Sequence, residues 1–207
     1  MTPSVKVEDR YYVDFDDGTS MRVNTALIAQ YSLFTGRKFE DEEFEELRKN
    51  AELVSARARA FRILGTRNMS KKEVEKRLIR LGESEQVALE TGQWLEDTGV
   101  VNDKEYAAMV VRHYAAKGWG MAKIKSEFVR RGIPGELWQE ALEQMPETES
   151  AIDRLLEAKL QGAERDENSG KLDRKDVKRA CDYLMRRGFN WDEIKSALRR
   201  YEERNEE

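Results

Sequence analysis

Chemistry in this sequence rests on where its positive charges fall. In residues 57–80, Arg57, Arg59, Arg62, Arg67, Lys71, Lys72, Lys76, Arg77 and Arg80 stand against only Glu73 and Glu75. In residues 112–131, Arg112, Lys117, Lys123, Lys125, Arg130 and Arg131 stand against Glu127. In residues 171–187, Lys171, Arg174, Lys175, Lys178, Arg179, Arg186 and Arg187 stand against Asp173, Asp176 and Asp182. The acids gather elsewhere, as in Glu136, Glu140, Glu143, Glu147 and Glu149, so a net charge of −4 conceals three basic stretches. Two chemistries fit this pattern. One is a solvated surface with salt bridges between neighbours; the other is an elongated basic face for a polyanion or an acidic protein groove. Contacts to phosphate would be strongly salt-dependent and would not read base sequence.

Other chemistries find little support. His113 is the only histidine, on what reads as an apolar helical face, where a packed structural role is expected. Cys181 is the only cysteine, which excludes an internal disulfide and a cysteine-based zinc site; beside Ala180 and Leu184 it reads as a buried, inert thiol. Gly65-Thr66-Arg67-Asn68 lacks the spacing and the Lys-Ser/Thr pair of a phosphate loop. No catalytic constellation, metal site or cofactor site emerges, so an enzyme is not expected. Trp138 and Trp191, at helical spacing, read as core, while Trp119 between two glycines is equally suited to core packing or to stacking on bases. No apolar run of about 18 residues is present to cross a membrane. Met1 to Arg10 has no apolar segment of a secretory signal, and a cytoplasmic protein is expected.

The basic stretches must be positioned by helices, and the sequence writes the same helix three times. Val74, Ile124 and Ala180 lie eight residues before Gly82, Gly132 and Gly188, and Leu78, Phe128 and Leu184 lie four before them. These positions share one helical face, and the glycine stands where a helix ends in a left-handed residue. Met121, Ile124 and Phe128 are expected on that face in the second copy. The glycines are 50 and 56 positions apart, an internal repeat. Ser70 with Glu73 has the pattern of a capping box, as does Asn190 with Glu193, and Asn102-Asp103 is another start signal. Pro134 is expected at the first position of a following helix.

Ahead of the repeats, Tyr11, Val13 and Phe15 alternate with polar neighbours, Asp16-Asp17-Gly18 signals a turn, and Met21 and Val23 continue the alternation. This predicts a β-hairpin, which must pack on something to be stable. Asn24 or Thr25 caps a short helix through Tyr31 whose apolar side is Ala26, Leu27 and Tyr31. Acids at Glu40–Glu43, Glu45 and Glu46 suit the first turns of a long helix ending near Gly65. Residues 162–170 read as a loop. The expected fold is mostly α, with tandem three-helix, helix-turn-helix-like repeats in an elongated array and a small N-terminal hairpin region. Expected boundaries are 1–40 for the hairpin and short helix, 41–99 for a linking helix with repeat 1, 100–146 for repeat 2 and 147–207 for repeat 3.

Over about residues 55–203 the repeats resemble the RecX family, bacterial regulators of RecA recombinase. The resemblance is carried by Val101-Asn102-Asp103-Lys104-Glu105-Tyr106-Ala107, by Lys117 to Ile133, and by Leu184-Met185-Arg186-Arg187-Gly188-Phe189 with Ile194. Glu83 departs from it, standing after Gly82 where an apolar or aromatic residue is usual. The resemblance implies binding to RecA and to RecA–single-stranded DNA filaments along their groove. It implies inhibition of RecA ATPase, strand exchange and coprotease activity, which damps recombination and the SOS response. It supplies no catalytic residue. The charge pattern nominates Arg57, Arg59, Lys72, Arg77, Lys123, Lys125, Arg130, Arg174 and Lys178 as filament contacts, with direct non-specific DNA binding and a monomeric state expected. The competing expectations are a sequence-specific helix-turn-helix regulator and an α-helical scaffold with no nucleic-acid role.

Overall fold

The computed structural model of the chain describes residues 1–5, 8–147, 149–163 and 172–205. It divides into two compact units, Met1–Val101 and Asn102–Glu207.

In the first unit the predicted hairpin is present as β2 (Tyr11–Asp14) and β3 (Ser20–Val23), with Tyr11 opposite Val23 and Val13 opposite Met21. A further two-residue strand, β1 (Thr2–Pro3), pairs with β2 and makes the sheet three-stranded. Gly18 adopts φ +83 in the turn, while the Asp17 carboxylate accepts hydrogen bonds from the Thr19 amide and hydroxyl at 2.8 Å. Alternation puts Met21 and Val23 inward on Leu27, Tyr31, Leu33, Leu47 and Ala51. Phe15, Phe39 and Phe44 edge this core, with edge-on ring contacts of 4.9 and 6.1 Å. Helix α1 (Thr25–Gln30) starts at Asn24, whose side chain accepts from the Leu27 amide at 3.0 Å. Ala26, expected inward, is exposed.

Helix α2 (Asp41–Leu64) carries Asp41, Glu42 and Glu43 in its first turn, where the helix dipole favours them. It serves two cores. Leu47 and Ala51 belong to the sheet cluster, and Ala60 belongs to the cluster with Met69, Val74, Leu78, Ala88, Leu95 and Val101. That second cluster joins α2 to α3 (Lys71–Arg80) and α4 (Glu85–Asp97), forming the first three-helix repeat. The Ser70–Glu73 capping box that opens α3 is fully formed.

The second unit holds two more repeats. Helices α5 (Asp103–Ala116) and α6 (Met121–Arg131), a 3-10 turn (Gly135–Leu137) and α7 (Trp138–Glu143) enclose Tyr106, Val110, Val111, Ile124, Phe128 and Ile133. Pro134 precedes the 3-10 turn with an extended ψ of 138, so it breaks the chain before the helix rather than opening it. Helices α8 (Glu149–Leu160), α9 (Arg174–Arg186) and α10 (Trp191–Asn205) enclose Ile152, Leu156, Leu160, Leu184 and Ile194. Asn190 and Glu193 exchange the reciprocal capping bonds at 2.7 and 2.9 Å. The loop expected at 162–170 lies outside the described residues from 164 onward, and so does Lys171.

The repeated helix is α3, α6 and α9. Its two apolar positions, Val74 and Leu78, Ile124 and Phe128, Ala180 and Leu184, are all at most 1% exposed. Gly82, Gly132 and Gly188 take φ of 95, 66 and 89, as the left-handed ending requires. Two residues expected in the core are instead on the surface: Met121 is 43% and Trp191 56% exposed. Each is the first residue of its helix, and side chains there lean back past the helix start, beyond the reach of the neighbouring helices.

Repeats 2 and 3 are spliced through backbone. The Gly120 amide donates to the Arg187 carbonyl at 2.8 Å and the Ala122 amide to the Gly188 carbonyl at 3.1 Å. The end of α9 thus caps the start of α6, which has no side-chain cap of its own. A Cβ on Gly120 would stand 2.3 Å from the Gly188 carbonyl oxygen, so the approach requires glycine. Arg187 Nη1 adds a bond to the Lys117 carbonyl at 2.7 Å.

Candidate functional site

The nine nominated cations fall into three environments. Arg57 and Arg59 of α2 are built into the first repeat. The Arg57 guanidinium lies 4.5 Å above the Trp94 ring, a cation–π contact, and burial holds its pKa below the ordinary value, with Glu90 opposing. Arg59 donates to the Leu81 carbonyl at 2.8 Å and pairs with Glu83 at 3.0 Å, with both side chains largely covered. This explains the departure at Glu83. Where an apolar side chain would dock, a carboxylate and the arginine of α2 clamp the turn between α3 and α4.

Three more are engaged but accessible. Lys72 pairs with the buried Glu75 at 3.0 Å, and Arg130 Nε donates to the buried Glu127 at 3.0 Å. Lys123 Nζ sits 5.2 Å from the Trp119 ring. Trp119 is half-buried and stacks on Tyr114 with centroids 4.4 Å apart, so it packs on its own repeat and supports a lysine on its outer side.

The remaining four, Arg77, Lys125, Arg174 and Lys178, are exposed on the repeated helix, with no carboxylate paired to them among the described residues. Alternating core and surface positions on one helix produce this directly. Leu78, Ile124 and Ala180 turn inward, so Arg77, Lys125 and Lys178, one or two residues away, turn out, while Arg174 is the first residue of α9.

Two buried carboxylates were not singled out from sequence. Glu127 gathers Arg130, Arg131 and the Tyr114 hydroxyl, which donates to it at 3.2 Å. Burial pushes its pKa up, but the Arg130 hydrogen bond and charge, with Tyr114 and Arg131, outweigh that and hold it below the ordinary carboxylate value. Glu75 lies against Gly92, where a Cβ would meet its side chain at 2.8 Å. The signal was present in each case as an acid among cations at i+3 or i+4 spacing on the same helix, whereas the burial, with Tyr114 on one and Gly92 against the other, comes from tertiary packing.

His113 is exposed rather than packed, its ring edge-on to Tyr114 at 5.0 Å. Cys181 is buried, and burial, with the Asp182 charge, raises its thiol pKa, as expected for an inert group. Among the described residues no three of His, Cys, Asp and Glu are grouped to hold a metal ion, and no helix is long and apolar enough to cross a membrane.

Comparison with known proteins agrees with this architecture. Residues 102–142 match the family model for RecX, second three-helix domain. Regulatory protein RecX of Bacillus subtilis (strain 168) is 29% identical over 98% of this chain and 76% of its own length. Regulatory protein RecX of Xanthomonas axonopodis pv. citri (strain 306) is 32% identical over 68% of this chain and 84% of its own. A crystal structure of regulatory protein RecX superposes with a TM-score of 0.74 over 93% of this chain and 94% of that one; at 18% identity it speaks for the fold. With its three-helix repeats, matched model and relatives spanning its length, the chain belongs to the RecX family of regulatory proteins.

Proposed function

We propose that this protein binds RecA and RecA–single-stranded DNA filaments and inhibits RecA ATPase, strand exchange and coprotease activity, moderating recombination, DNA repair and the SOS response. The observation that carries the reading is the set of outward cations on the repeated helices, Arg77, Lys125, Arg174 and Lys178, one or two per repeat. A surface repeated along one chain suits a target repeated along a polymer. The modules proposed to engage it are 41–99, 100–146 and 147–207, after an N-terminal region of 1–40. The protein acts as a cytoplasmic monomer, by binding and without turnover, and also touches DNA non-specifically through phosphate.

Titration into a DNA-dependent RecA ATPase assay tests this. Hydrolysis falls as the protein saturates the filament; undiminished hydrolysis at saturating, demonstrated binding would contradict it. A sequence-specific regulator would instead concentrate its cations on one recognition helix, whereas here they spread over α3, α6 and α9. Equal affinity for scrambled duplexes removes that alternative.

A further inference from the structure

The three repeated helices share one more property. Aligned on their closing glycines, they have four positions exposed on all three, and two of these vary: Lys76, Ser126 and Asp182 correspond, as do Lys72, Ala122 and Lys178. The other two are exceptions. Three residues before the glycine stand Ile79, Val129 and Met185, all apolar and 41%, 65% and 54% exposed. Two before it stand Arg80, Arg130 and Arg186, all arginine and all exposed. Single apolar residues on a surface are ordinary. The same one in the same place on three helices that otherwise diverge, each time beside an arginine, is a repeated element.

We infer that each apolar–arginine pair is a docking knob for one copy of a single patch on a protein polymer, an apolar cleft edged by a carboxylate. The inference rests on the filament-binding reading above and names what the filament offers. Charge complementarity selects the edge, because a guanidinium matches a carboxylate with two parallel hydrogen bonds. The apolar member selects protein over nucleic acid, since a phosphodiester backbone offers Ile79, Val129 and Met185 nothing to bury against, whereas a cleft in a protein removes them from water. The arginines are poised for this. Among the described residues Arg80 makes a backbone contact alone, to the Lys76 carbonyl at 3.3 Å. Arg130 is 66% exposed even while it touches Glu127. Threefold use gives avidity, so each knob is individually weak and the set is strong.

The test is the full chain with Ile79→Ser, Val129→Ser and Met185→Ser, singly and together, measured for affinity to RecA–single-stranded DNA filaments and to naked single-stranded DNA, with melting temperature recorded. A second variant carries Arg80→Gln with Arg186→Gln and is measured on filaments only. Each single apolar change weakens filament binding about three- to tenfold and the triple about a hundredfold or more, with melting and naked-DNA affinity unchanged. The arginine variant falls about tenfold. A triple variant that binds filaments like the parent overturns the docking inference and leaves filament binding itself standing. Equal loss on naked DNA overturns it in favour of a nucleic-acid surface. Failure of the parent protein to bind filaments removes the functional reading and this inference together.

Discussion

Helices α2 and α9 each carry five arginines and lysines, yet they use these side chains differently. On α2, Arg57 lies on Trp94, and Arg59 ties the Leu81 carbonyl and Glu83, so both hold α2 to the helices it packs against. On α9, Arg174 and Lys178 face away from Ala180, Cys181 and Leu184 and stay exposed. The difference lies in what surrounds each helix. The C-terminal half of α2 is the first helix of its repeat, and Trp94 of α4 and the turn from Leu81 to Glu83 lie over its arginines. The repeated middle helix buries a single narrow stripe and leaves a broad face open. A cation on a covered flank becomes a brace, and one on the open face remains available.

The first way to sharpen this comparison is through the core that both regions share. Leu78→Ala or Phe128→Ala removes a side chain with no exposed surface and is expected to lower unfolding free energy by about 2–5 kcal/mol, read from denaturant midpoints. Next are the closing glycines. Gly188→Ala combines a φ of +89 with a Cβ 2.4 Å from the Lys123 amide nitrogen, so it is expected to cost about 3 kcal/mol and loosen the junction of repeats 2 and 3. Gly82→Ala, at φ +95 with nothing within 4 Å, should cost only about 1 kcal/mol. Equal costs would break the claim that the α9 ending is spliced onto α6. Arg59→Ala is expected to lose about 2 kcal/mol, because Glu83 is left covered without its partner; a loss below about 0.5 kcal/mol would mean Arg59 is no brace.

The smallest effect is set by pH. Glu127 has a lower pKa in the folded state than in the unfolded chain, so its contribution is fully present above the ordinary carboxylate value of about 4.3 and is lost as pH falls through the folded value. Glu127→Gln should therefore lower stability by a roughly constant amount above pH 6, where the carboxylate's contribution is fully present, and converge on the parent in acid, so that the acid limb flattens.

Local features were legible in the sequence. The three buried stripes, the left-handed glycines, the Ser70 and Asn190 caps and the hairpin all follow from spacing within about a dozen residues. Features decided at a distance were not. Strand β1 is two residues long and carries no alternation to detect. Met121 and Trp191 match the periodicity but overhang their cores. Of the nominated cations, the pattern could not distinguish Arg57 and Arg59 from Arg174 and Lys178. Trp94 of α4, and Glu83 and the Leu81 carbonyl of the turn before it, reach these arginines only once the chain has folded.

The most direct measurement is the affinity for RecA–single-stranded DNA filaments of a variant with Arg77→Glu, Lys125→Glu, Arg174→Glu and Lys178→Glu, alongside its melting temperature. Filament affinity is expected to fall about a hundredfold or more with melting unchanged, since among the described residues no carboxylate pairs with these side chains. Unaltered affinity in the folded variant would contradict the claim that the open face of the repeated helix is the surface that meets the filament.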